Sequence, residues 1–334
     1  MNLSTTPHKN IQNWLFFTAA MVFAMAVIGA ITRLTESGLS MVEWKPLIGA
    51  IPPLNEAEWN RVFDLYQQTP EFQHKNSWMG LEDFKNIFFW EWFHRLWGRL
   101  IGLVFALPLL WFWIKKQIPQ GYGLKFLGLL ALGGSQGALG WYMVKSGLID
   151  RPDVSHFRLA AHLGLALFIY VLLLWCAFDF FPRKVDASPS TFCQKRHGWV
   201  AFAFIATTIL WGAFVAGLDG GMLYNTWPKM DTYWIPPEVT GLFAILHDPG
   251  AVQFFHRTIA IVTMAVVLSF GWRMKNFPLM LMVFFQVGLG IATVLTQVVI
   301  PIAALHQAGA LILLGLMVKQ MHALHRCSAQ TCAA

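Results

Sequence analysis

Residues 14–31 read WLFFTAAMVFAMAVIGAI, without one charged side chain. A hydrocarbon layer of roughly 30 Å takes about 20 residues of helix to cross. Within it only a helix or a closed barrel can satisfy every peptide group. Seven more such runs follow, near 87–114, 122–144, 156–181, 198–217, 251–272, 277–299 and 301–322. The expected fold is therefore an all-α integral membrane protein of eight transmembrane helices. Of its 334 residues 56% are hydrophobic and 12% charged, half the charge of an ordinary soluble domain.

The net charge of +7 does not point to nucleic acid, because the bases form no patch and follow the spans instead. Lys115, Lys116 and Lys125 lie between spans 2 and 3, Arg183, Lys184, Lys195 and Arg196 between 4 and 5, and Arg273 and Lys275 between 6 and 7. The positive-inside rule puts these loops in the cytoplasm. The stretch 34–86 holds four bases against eight acids and 218–250 one against four, so both belong outside and both termini inside. The N-terminus MNLSTTPHKN carries neither a transit-peptide pattern nor a small-residue cleavage site. The expected location is a bacterial inner membrane. Cys176, Cys193, Cys327 and Cys332 all fall in a span or on the cytoplasmic side, so no outer disulfide is expected, and C-x-x-C-H is absent.

The chain repeats itself. Gly29-Ala30, Gly38 and Trp44 recur 183 residues later as Gly212-Ala213, Gly221 and Trp227. Phe93-His94-Arg95 recurs at 162 as Phe255-His256-Arg257, and Gln136, Leu139, Gly140 and Val144 at 150 as Gln286, Leu289, Gly290 and Val294. His162 and His306 then align at 144. A displacement that shrinks steadily fits duplication of a four-helix unit followed by loop trimming. Two similar four-helix bundles are expected, 1–184 and 185–334, in the same orientation because each has an even number of spans.

His94, His162, His256 and His306 each sit five to seven residues inside an even-numbered span, and all four spans enter from the outer side. At 1.5 Å per residue they form one layer roughly 8 to 11 Å below the helix starts, two in each half. A lone histidine in a membrane helix is most often a packing residue. Four at one depth, paired by repeat, point to two pairs facing across bundle interiors, the arrangement axial ligation of haem iron needs. Arg95 and Arg257, next to the first histidine of each pair, suit a propionate. Gly98/Gly102 and Gly133/Gly137 form G-x-x-x-G, which reads as close helix packing and also as room for a flat macrocycle. His8, His74, His156, His197, His247, His322 and His325, in loops or near helix ends, receive no role. Trp44 and Trp227 are candidate pocket walls.

The halves differ at one place. Glu91 stands three residues before His94 and shares its face, while the position three before His256 is Gln253. A buried carboxylate is costly in hydrocarbon, so the first half reads as the chemical site and the second as a resident cofactor site. An ion pair with Arg95 is the structural alternative for Glu91.

With these residues assembled, the chain resembles the haem A synthase family over nearly its whole length. The carriers are TRLTESGLSMVEWKPLIGAIPPLNEAEW at 32–59, similar to the first outer segment of the mitochondrial and proteobacterial branch, and E-x-x-H from Glu91 to His94. The resemblance implies a resident haem b on His256 and His306 and substrate haem O on His94 and His162. It implies oxidation of the haem O C8 methyl group, through a hydroxymethyl stage, to a formyl group. Glu91 would handle protons or charge, with Arg95 and Arg257 on propionates. The implied partners are haem O synthase, cytochrome c oxidase with its assembly factors, an electron acceptor of unspecified kind and membrane lipid; homo-oligomerisation is left open. Another branch carries a cysteine pair in the first outer segment, absent here. The rival readings are a di-haem b, quinol-linked electron carrier, which would place haems at two depths, and a transporter with metal-binding histidines.

Overall fold

The computed structural model describes residues 6–43, 48–150, 153–182 and 190–326. Trp44, Arg183, Lys184, Cys327 and Cys332 lie outside the described residues. The described chain is helical, with α1 Thr6–Leu34, α2 Glu56–Gln67, α3 Leu81–Ile114, α4 Gly123–Asp150, α5 His156–Asp179, α6 Phe192–Gly217, α7 Ala244–His247, α8 Pro249–Arg273, α9 Phe277–Leu295 and α10 Ile300–Arg326.

Seven helices among the described residues, α1, α3, α5, α6, α8, α9 and α10, are long and apolar enough to cross a membrane. α4 has the length, but Gly133-Gly134-Ser135-Gln136-Gly137 at its centre dilute its apolar character. Seven of the eight expected spans thus meet that measure among the described residues, and α4, with its polar centre, does not.

Sequence capping sets several boundaries. Asp248 accepts from Gly250 N–H and Ala251 N–H ahead of α8, whose first residue is Pro249, satisfying N–H groups that have no helical partner. Asn276 caps α9 through Leu279 N–H. α9 stops at Leu295 rather than running to 299 because Gln297 and Val298 adopt positive φ of 56° and 60°. α3 begins six residues earlier than expected. Gly80 N–H donates to Asp83 at 3.0 Å, and Phe84, fully buried, stacks on Tyr66 with ring centroids 5.1 Å apart. Those extra turns belong to a small aromatic core formed with Trp59, Phe63, Phe72 and Phe88 under the 35–80 segment. α6 also begins six residues early, which puts Cys193 in a helix, exposed, instead of a loop.

In the first half α1 packs on α3 and α5, and α4 on α3 and α5; in the second α6 packs on α8 and α10, and α9 on α8 and α10. Each set of four closes a ring in which α3 and α5, or α8 and α10, are diagonal. The rings join through α1·α10, α5·α6 and α5·α10. A continuous apolar core runs through both. At one rim Arg33, at the end of α1, pairs with Asp219 of the 218–250 segment at 2.7 Å, and Lys75 of the first outer segment pairs with Asp153 of the α4–α5 connection. At the other, Asn276 bonds Gln320 at 2.9 Å and Ser190 bonds the Leu324 carbonyl. His322, about one turn before the end of α10, is buried and bonded to Asp179 at 2.9 Å.

Candidate functional site

Each of the four histidines meets a glycine of the helix beside it. A Cβ built on Gly29 of α1 would lie 3.1 Å from His94 Cε1, and one on Gly140 of α4 3.0 Å from His162 Cε1. The second half does the same, with Gly212 of α6 at 3.2 Å from His256 and Gly290 of α9 at 3.0 Å from His306. Separations this short leave no room for a larger residue unless the ring moves. The histidines stand on the diagonal helices and the glycines on the intervening ones. His94 is within electrostatic reach of His162, and His256 of His306. Each half thus carries two of the four histidines, on its diagonal helices.

The depths need one correction. His162, His256 and His306 stand six, seven and six residues after the first residues of α5, α8 and α10, roughly 9 to 10.5 Å along the axis. His94 is thirteen residues into α3, because α3 projects two turns beyond the others into the aromatic core.

Two glutamines hold the second histidine of each pair. Gln136 Nε2 donates to the His162 carbonyl at 3.0 Å and lies 3.2 Å from its ring nitrogens; Gln286 Nε2 donates to the His306 carbonyl at 2.9 Å and lies 3.1 Å from Nδ1. Gly309 makes this possible, since a Cβ there would sit 2.2 Å from Gln286 Oε1. The first histidine of each pair is left differently: His94 Nδ1 and His256 Nδ1 are buried with no hydrogen-bond partner. Buried polar atoms are rarely left so, and an orphaned ring nitrogen in both halves fits a group the protein receives. Among the described residues no three His, Cys, Asp or Glu converge on a point that could hold a bare metal ion. Paired imidazoles in a ring of helices suit a flat, axially ligated macrocycle instead.

Glu91 is 3% exposed. Its Oε2 accepts from the Ser40 hydroxyl at 2.7 Å and from Met41 N–H at 2.6 Å, and its Oε1 pairs with Arg95. All three partners donate, so the pocket is arranged for an anion. Arg95 also donates to the Met41 carbonyl at 3.0 Å. The expected ion pair is thus present, within a larger cradle. Gln253, 2% exposed, meets the same backbone position of its own half with the opposite polarity: its Nε2 donates to the Tyr224 carbonyl at 3.0 Å. Arg257 donates to that carbonyl at 2.7 Å and to the Thr226 carbonyl at 2.8 Å, while its Nε is buried without a partner.

One expectation fails here, and two residues were missed. A Cβ at Gly102, Gly133 or Gly137 would meet nothing within 4 Å, so these glycines do not mark close helix packing; the glycines beside the histidines do. Ser40 and Met41 were not foreseen. Their signal was present, because the displacement that aligns Gly38 with Gly221 also sets Ser40 and Met41 against Leu223 and Tyr224.

The chain is 49% identical to the heme A synthase of Rhodospirillum centenum, over 96% of this chain and 90% of that protein. It is 44% identical to the heme A synthase of Nitrosospira multiformis, over 95% and 94%, and 42% identical to that of Parvibaculum lavamentivorans, over 95% of each. Residues 12–318, which include all four histidines, Glu91 and both arginines, match COX15-CtaA, described as cytochrome oxidase assembly protein, and the chain belongs to that family.

Proposed function

We propose that this protein is an oxidoreductase that converts the C8 methyl group of haem O, through a hydroxymethyl stage, into the formyl group of haem A for cytochrome c oxidase. Haem O occupies the first half, 1–184, between His94 and His162. A resident haem b occupies the second, 185–334, between His256 and His306. α4 serves as the eighth span, its polar centre turned to the site through Gln136, and the two rings are duplicated four-helix units. The termini are cytoplasmic, in a bacterial inner membrane, with the histidine layer toward the outer side. Haem O synthase delivers, the oxidase assembly machinery receives, and an external acceptor takes the electrons.

The observation that carries the assignment of halves is the exchange of Glu91 for Gln253 against one backbone position. A resident bis-histidine haem supplies one-electron transfer. Everything else falls to side chains. His94 and His162 fix the substrate, with their rings held by Gly29, Gly140 and Gln136. Glu91 is the group that can take a proton as the methyl carbon is oxidised, and Ser40, Met41 and Arg95 hold it in place. Arg257, with its unpartnered Nε, is the propionate ligand of the second half; Arg95 joins that role to steadying Glu91.

The test is extraction of haem from the purified protein, with mass analysis. Haem b together with haem O, the hydroxymethyl species or haem A is the expected result. Haem b alone, at two equivalents, would instead make the protein a di-haem electron carrier.

A further inference from the structure

Ser40 is 1% exposed, yet with Met41 it lines a cavity of about 330 Å³ bounded by the first outer segment, α2 and Phe88. The far wall is polar. Arg61 of α2 bonds Glu43 at 2.8 Å and Glu58 at 3.0 Å, and all three side chains, 36 to 50% exposed, line the cavity. At about 30 Å³ per water the volume holds on the order of ten molecules, with charged partners at the surface end. At the inner end the Ser40 hydroxyl has two acceptors, Glu91 Oε2 at 2.7 Å and the Ile87 carbonyl at 3.5 Å. It can therefore turn from one to the other when the carboxyl carries a proton of its own.

We propose that Ser40 relays protons between Glu91 and this cavity, which makes the outer segment the proton route of the first half. The proposal rests on the reading of that half as catalytic. In the step, the Ser40 O–H first turns from the protonated Glu91 toward a water of the cavity that Ser40 lines; the Glu91 O–H bond then breaks as a bond forms to Ser40 Oγ, while the original Ser40 O–H bond breaks and its proton passes to that water, which leaves as hydronium. The hydroxyl then faces the Glu91 carboxylate again, and no electron moves. The other charged or titratable groups near Glu91 do not offer this path. Arg95 stays protonated. Tyr66 and Glu71, whose charges interact with Glu91, are bonded to each other at 3.0 Å and do not line the cavity. The second half has Leu223 where Ser40 stands and Gln253 where Glu91 stands, so it has neither relay nor proton to move.

The experiment uses the full-length protein in detergent with its resident haem, the haem spectrum reporting an intact fold. Ser40→Ala should lower turnover by about 10²-fold, the low end of proton-transfer effects. KM for haem O should stay put and the solvent deuterium isotope effect should rise. Ser40→Thr should restore most of the rate. Val62→Phe, at a residue that lines the cavity and is not among the hydrogen-bond partners of Glu91, should raise the isotope effect as well. Parental turnover in Ser40→Ala, a loss that threonine does not rescue, an unchanged isotope effect, or a parental Val62→Phe would each overturn the relay. A fully active Glu91→Gln would overturn the catalytic reading beneath it, a separate failure.

Discussion

The two halves of this protein agree in how they position paired imidazoles and differ in what one backbone position offers to one side chain. In both, a histidine on a diagonal helix lies against a glycine of its neighbour, and a glutamine holds the second ring. In both, an arginine donates to the carbonyl of Met41 or Tyr224. Only the first half turns the Met41 N–H and a serine hydroxyl toward a carboxylate. The second satisfies an amide with a carbonyl. Position is thus common to the two rings, and the exchange of a carboxylate for an amide rests on three or four atoms laid over it.

The largest effects should come from the imidazoles, and they would break the comparison if distributed wrongly. His256→Ala or His306→Ala should abolish the low-spin haem b absorbance, because iron left with one axial ligand is loosely held. His94→Ala or His162→Ala should keep that absorbance and abolish haem A production. Optical spectra and extracted haems on the four variants decide it; the reverse pattern exchanges the halves.

Next in size is Glu91→Gln, which gives the first half the side chain of the second. Turnover should fall about 10²- to 10⁴-fold, the range of general acid–base help, while resident haem persists. Accumulating haem O or the hydroxymethyl compound would show which oxidation needs the carboxylate. The reciprocal Gln253→Glu should give no activity. It sets a carboxylate against the Tyr224 carbonyl that now accepts from the Gln253 amide, and an ill-paired buried charge weakens the fold. Parental haem A output from Glu91→Gln would reduce the difference between the halves to packing.

Much of this was legible in the sequence, and what was not has a physical cause. Apolar runs place α5, α8, α9 and α10 to within about a turn, whereas α1 begins eight residues early, α4 ends six late, and α3 and α6 each begin six early, α3 because Phe84 packs on Tyr66, a contact no hydropathy pattern encodes. The histidines were found because repeat and depth both bear on them. The glycines that matter were visible as repeats but unranked, since a sequence shows that Gly29 and Gly140 are small and not that a ring lies 3 Å away. The G-x-x-x-G spacing misled for the same reason. Glu91 was found by contrast with Gln253. Of its donors Arg95 was foreseen, Ser40 was visible only as a serine set against Leu223 by the repeat, and Met41 was missed because it acts through its backbone, which has no signature in residue type.

A smaller effect should follow from those glycines, and it would sharpen the comparison. Alanine at Gly29 or Gly140 must shift a ring by a few tenths of an ångström. Misplacing a reacting group by about 1 Å can cost 10²-fold, so about a tenfold loss of turnover is expected with haem b unaltered. Alanine at Gly212 or Gly290 should move the resident haem's spectrum or midpoint potential, with substrate affinity intact. Identical consequences in both halves would mean that the two pockets are not separate in function.

The smallest effect concerns the outer segments, where each half carries a tyrosine bonded to a carboxyl. Tyr66 donates to Glu71 at 3.0 Å and accepts from Asn76 at 2.8 Å, whereas Tyr224 bonds Glu238 at 2.9 Å. Glu71 is buried and Glu238 half-buried. Burial pushes Glu71 up to about 8, with Glu91 and Glu36 acting the same way and the Tyr66 hydrogen bond and Lys75 opposing. The unfolded carboxyl titrates near 4.3, so between about pH 4.3 and 8 the folded segment holds a proton that the unfolded chain has lost. Stability should therefore fall as pH rises through that window and level off above it. Limited proteolysis of the first outer segment from pH 5 to 9 reads this directly: cleavage should accelerate with pH beyond the protease's own profile. Glu71→Gln, whose amide oxygen can still accept from Tyr66, should flatten the curve, and Glu238→Gln should leave it in place. A slope that survives Glu71→Gln would separate the outer segment's stability from this carboxyl and leave the Tyr66–Asn76 bond as the feature that distinguishes it from its counterpart.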